Sequence, residues 1–149
     1  MKLWWLIPYL SLFINLIIIR FMPKHLTKKE IYISWFVVAL INISSDLILS
    51  LYFRFYELNG GGIQLSVHFL ELTLGASYGI IFLNFMPQKM SSFILYCLAW
   101  LVYSLLFEGL LIYTEFIHFF DWKIWYSAPY YVASFFFIRW HLHFIRSDK

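Results

Sequence analysis

Long apolar runs broken by short polar connections organise this chain from end to end. Runs such as LIPYLSLFINLIII lack the period-two alternation of a barrel strand and continue well past strand length. Five of them are long enough to cross a bilayer, which takes about 20 mostly apolar residues at 1.5 Å rise each. They lie near Leu3–Phe21, Ile31–Phe53, Ile63–Met86, Ser91–Tyr113 and Tyr126–Ile145. Lipid offers no partner to an unpaired N–H or C=O, so each segment must satisfy its own backbone and is predicted to be a helix. The expected fold is all-α: one domain, a membrane-spanning bundle of five transmembrane helices.

The connections are FMPKHLTKKE, RFYELNGGG, MPQKM and TEFIHFFDWKIW. Thr27 and Glu30 have the spacing of a capping box that starts helix two. The triplet Gly60–Gly62 predicts a flexible turn between helices two and three. None of these segments has room for a soluble domain, so binding or chemistry is expected in or at the membrane. The stretch FIHFFDWKIWY suits an interfacial segment lying along one surface. FMPK and FMPQK each end an odd-numbered helix at a proline. That match fits ordinary helix stops, or a duplicated hairpin of the kind found in some transporters.

Composition agrees with this pattern. The chain is 62% hydrophobic, 23% aromatic and 13% charged, whereas a soluble domain carries roughly twice that charge. A chain of 149 residues has too much surface to hide the surplus from solvent, so the solvent is lipid. The net charge of +3 does not indicate nucleic acid, because the basic residues sit at predicted helix ends. Arg20, Lys24, Lys28, Lys29, Lys89, Arg146 and Lys149 collect on one side, against Lys2, Arg54 and Lys123 on the other. That asymmetry places the N-terminus outside and the C-terminus in the cytoplasm. Trp4, Trp5, Trp122 and Trp125 are then expected at the outer interface, Trp35 and Trp140 near the inner one. Helix one has a long core, no small-residue cleavage site and basic residues after it, so it is expected to be retained. The single cysteine, Cys97, has no partner for a disulfide.

Against so apolar a background three acids stand out. Asp46, Glu71 and Glu108 are placed roughly 10, 12 and 8 Å from the outer ends of helices two, three and four. Each belongs to a polar stripe on one helical face: Ala39, Asn42, Asp46 and Ser50; Gln64, His68, Glu71, Gly75 and Tyr78; Cys97, Ser104, Glu108 and Glu115. Ser11 and Asn15 make a similar pair on helix one. The stripes should face inward. Ionisable groups at that depth cost on the order of 3 kcal/mol each, so they pair or line a wet cavity. Three ionised carboxylates in one layer would repel, so a shared proton or a bound cation is expected among them. His68 is the nearest candidate partner. Arg139 lies deeper, beside His143 and Arg146 on one face, and is expected to extend towards the inner headgroups.

Other chemistry is sparse. No G-x-S-x-G elbow, H-E-x-x-H helix or phosphate-binding glycine loop is present. His68-x-x-Glu71 is a single, reversed version of the Glu-x-x-His motif that diiron bundles use twice, so it specifies no metal or other cofactor.

LTKKEIYISW (Leu26–Trp35), IFLNFMP (Ile81–Pro87), SLLFE (Ser104–Glu108) and DWKIWYS (Asp121–Ser127), with the five-helix layout, resemble a family of small multipass membrane proteins of endospore-forming Firmicutes. The resemblance implies the inner membrane of a bacillus-like or clostridium-like cell and carries over no activity or catalytic residues.

The expected function is non-enzymatic: an acidic outer-leaflet pocket that binds or moves a proton or cation, in a small transporter, a sensor or an accessory subunit. Asp46, Glu71 and Glu108 are its charged layer, with His68, Asn42 and Gln64 to orient or neutralise them. Two other readings stay open. One is an intramembrane enzyme acting on a lipid through Glu71, His68 and a metal. The other is a structural protein whose acids hold the bundle or a neighbouring chain. In each the bilayer is the primary partner, and so thin a bundle is open to association with copies of itself or another membrane protein.

Overall fold

A computed structural model describes residues 6–58 and 64–147 of the chain. Leu3, the first residue of the first expected span, lies outside the described residues, as do Lys2, Trp4, Trp5, Gly60–Gly62, Ile63 and Lys149. The chain is mostly helical. The helices are α1 (Leu6–Phe21), α2 (Lys28–Asp46, continued by a π-helical turn over Leu47–Tyr52), α3 (Leu65–Asn84), α4 (Met90–Tyr113) and α5 (Ile124–Arg146). Three are long and apolar enough to cross a membrane: Lys28–Tyr52, Leu65–Asn84 and Met90–Tyr113. Exposed Leu10 and Phe13 on α1, Leu40 on α2, Phe69 and Leu72 on α3, and Leu95, Val102 and Leu106 on α4 cover their outward faces, a surface suited to lipid.

The start of α2 follows from local chemistry. Thr27 Oγ1 accepts from the Glu30 N–H at 3.1 Å, and Glu30 Oε2 accepts from the Thr27 N–H at 2.9 Å, the reciprocal capping box. Glu30 does more than its spacing foretold. It is buried, and its carboxylate also receives Arg146 from the end of α5, with Nε 3.0 Å from Oε1 and Nη2 3.3 Å from Oε2.

α3 is the central helix. From Gly79 to Asn84 every residue is buried. It packs against α1 and α2, while α4 packs chiefly on α5. Close approach of α2 is permitted by Gly75 and Gly79, a G-x-x-x-G pair. A Cβ at Gly75 would lie 1.7 Å from Asn42 Nδ2, and one at Gly79 would lie 3.0 Å from Val38 Cγ2. Polar side chains fasten α1 and its connection to α3: Asn15 Nδ2 donates to Ser77 Oγ at 2.9 Å. Asn84 accepts from the His25 N–H at 2.8 Å and donates to the Pro23 carbonyl at 2.9 Å. The two F-M-P segments therefore end at one end of the bundle, with Met22 and Met86 in a single core around Phe82, Phe93, Phe135 and Leu142.

One feature differs from the expected all-helical chain. Tyr56–Leu58 (β1) and Ile117–Phe119 (β2) pair antiparallel, Tyr56 opposite Phe119 and Leu58 opposite Ile117, in a short ribbon at the other end of the bundle. Within FIHFFDWKIWY, Ile117–Phe119 is thus a strand, because its backbone finds partners in the α2–α3 connection. Each strand follows a residue in the left-handed region, Arg54 at φ 54° and Glu115 at φ 65°, which turns the chain sharply off the preceding helix. Arg139 donates to the carbonyls of Pro87 (3.3 Å) and Gln88 (2.8 Å) in the α3–α4 connection and covers the Phe93 ring at 4.3 Å.

Candidate functional site

At the ribbon end, α2, α3, α4 and α5 diverge around a cavity of about 330 Å³, at the low end of the 300–1,000 Å³ usual for small-molecule sites. Its floor towards the core is apolar: Val38, Phe82, Trp100, Phe135 and Ile138. Its opposite end is lined by ribbon residues Tyr56, Leu58, Ile117 and Phe119, and by Trp122. All three sequence-predicted acids line it.

The acids do not form one equivalent layer. Asp46, the last residue before the π-helical turn, and Glu71 on α3 have their carboxyl groups within hydrogen-bonding reach of each other. Two carboxyls can bond only when one carries a proton. The phenol of Tyr56 donates to Asp46 Oδ1. Glu108 stands apart on α4. Its Oε1 accepts from Ser127 Oγ at 2.9 Å, and Ser127 Oγ accepts from Trp122 Nε1 at 2.9 Å. Glu108 Oε2 is buried with no hydrogen-bond partner, a costly state for a polar atom.

His68 is adjacent but outside the cavity. Its Nδ1 lies 3.8 Å from Glu71 Oε2, and it lines a crevice of about 40 Å³ on the far side of Asp46 and Glu71. The carboxyl pair is therefore a partition between crevice and cavity. Asn42 lines the cavity, its amide wedged against Gly75. Gln64 precedes α3 and is not among the lining residues. Gly75 proves to be a packing position, and Cys97 lies in the core rather than at the cavity. Among the described residues no group of three or more His, Cys, Asp and Glu is arranged to hold a metal ion.

Sequence reasoning missed the contribution of α5 and the ribbon. Ser127, Tyr130, Tyr131 and Ser134 line the cavity. Tyr130 Oη donates to Ser45 Oγ at 3.0 Å. Their spacing of three, one and three marks one helical face, so this stripe was legible in SAPYYVAS. Tyr56 and Trp122 carried no such signal, since their position depends on the pairing of two distant connections.

No protein-family model, curated protein or solved structure matches this chain.

Proposed function

We propose that this chain is a multipass protein of the cytoplasmic membrane in which all five helices span, with the N-terminus outside, and that the ribbon-end cavity binds or moves a proton or cation. The role is that of a small transporter, a sensor or an accessory subunit, alone or associated with itself or another membrane protein. Support for the setting comes from the three long apolar helices, the apolar outward faces and the Lys and Arg asymmetry across the helix ends. The resemblance to small Firmicutes membrane proteins supports the choice of membrane.

One observation carries the functional reading. Among the described residues, three carboxyl side chains line the cavity, no Lys, Arg or His lines it, and one of those carboxyl oxygens is buried without a partner. A site of that character favours a positive charge. The crevice beside His68 adds a route by which a proton reaches the Asp46–Glu71 pair without crossing the cavity.

The test is thermal stability of the protein in nanodiscs against pH and divalent cations, for wild type and for Asp46→Asn/Glu71→Gln/Glu108→Gln. The reading expects a gain with cation or proton concentration that the neutralised variant lacks. If neutralisation only destabilises, and neither form responds to cations or pH, the acids are structural and the reading fails. Proteoliposome flux under a cation or proton gradient separates a transporter from a sensor.

A further inference from the structure

Resting on that reading, we infer that the cation taken by the cavity is organic and amphiphilic: an ammonium group carrying a hydrophobic body, which reaches the cavity from within the bilayer between α3 and α4.

The shape of the cavity argues for the body. From Glu71 to Phe82 it follows α3 over roughly 16 Å, with carboxyl groups at the ribbon end and Phe82, Trp100 and Phe135 at the other. A lone inorganic ion would occupy the acidic end and leave water against an apolar wall. Apolar surface of that kind is stabilised by an apolar occupant.

The acidic end argues for an ammonium. A metal ion asks for several ligands on one centre, and among the described residues no three His, Cys, Asp or Glu side chains are grouped to hold one. An alkylammonium asks for less: a carboxylate nearby and ring faces around it. Glu108 Oε2 is buried and unpartnered, and the rings of Tyr131 and Trp122 line the same end.

Access follows from how α3 and α4 meet. Near their connection they are held together, Tyr96 Oη donating to the Phe82 carbonyl at 2.7 Å and Phe82 meeting Phe93 edge to face. Towards the ribbon they are joined by rings: Tyr78 touches Trp100, Tyr103 and Phe107, and the hydroxyls of Tyr78 and Tyr103 are 2.6 Å apart. Side chains rotate on far shorter timescales than helices separate. This seam is a row of movable rings between lipid and cavity.

The experiment compares benzyltrimethylammonium with neopentylbenzene, its uncharged carbon isostere, on the full chain in nanodiscs, reading thermal stability and tryptophan fluorescence. Sodium and magnesium chlorides are run beside them, with a pH series. The inference expects a saturable rise in melting temperature with benzyltrimethylammonium alone, weakened about tenfold in Glu108→Gln by loss of the charge attraction. The wild-type comparison stands without the variant, should that fail to fold. Equal binding of the isostere overturns the inference, because charge then selects nothing. A response to inorganic ions or protons alone also overturns it and leaves the proton-or-cation reading intact. No response to any of them removes both.

Discussion

The phenol of Tyr56, in the first ribbon strand, donates a hydrogen bond to Asp46, the last residue of α2 before its π-helical turn. Ser50 Oγ donates to the Tyr56 carbonyl at 2.9 Å, so one strand residue is held by α2 at two atoms. The ribbon is thereby tied to the carboxyl pair that partitions cavity from crevice. A change in the charge of that pair therefore acts directly on a strand that lines the cavity.

Tyr56→Phe should cost about 1–3 kcal/mol, since Asp46 loses a partner while remaining buried. It should also alter the alkaline limb of stability. Burial first, and the Asp46 charge second, hold the Tyr56 phenol above its ordinary value of 10.0. The folded protein thus keeps a proton that the unfolded chain releases. This contribution is complete below about pH 10 and is lost as pH rises further. Unfolding followed across that range should show a shallower alkaline decline in Tyr56→Phe than in wild type; parallel curves would count against the assignment.

Gly75→Ala should destabilise by about 1–3 kcal/mol, because the new methyl group occupies the space of the Asn42 amide. Asn42→Ala in the same chain should recover most of that loss. A double-mutant cycle by thermal unfolding in nanodiscs measures the recovery, and strictly additive effects would contradict the contact.

Arg146→Ala should cost about 2 kcal/mol or more, leaving the Glu30 carboxylate buried without the Arg146 guanidinium. Glu30→Ala also removes half of the capping box, worth about 1 kcal/mol. The double variant should lose less than the sum of the two. Equal and additive losses would show that the pair is not coupled.

Arg54→Gly is expected to stabilise by up to about 1 kcal/mol: glycine relieves the left-handed strain at φ 54° and loses part of that gain to unfolded-chain entropy. Arg54 is exposed, so little packing is sacrificed. Arg54→Val at the same place should destabilise, and the sign difference between the two is the readout.

What the sequence determined was whatever a residue's near neighbours enforce. Apolar length set the helices: the expected Ser91–Tyr113 compares with Met90–Tyr113, and Tyr126–Ile145 with Ile124–Arg146. The Thr27–Glu30 spacing set the start of α2, since both partners of a capping box lie within one turn. Helical periodicity placed Asn42, Asp46, Glu71 and Glu108 on inward stripes, and these four do line one cavity.

Only tertiary structure decided which of those groups meet. Asp46 pairs with Glu71, while Glu108 turns to Ser127 and His68 stays behind the partition. A helix period gives the face of each residue but neither the rotation nor the spacing of one helix against another. Here these depend on Gly75 and Gly79 admitting α2 to the backbone of α3. The ribbon was equally hidden, because Tyr56 and Phe119 find each other across more than 60 residues of chain. Backbone hydrogen bonds between distant connections leave no period in either one.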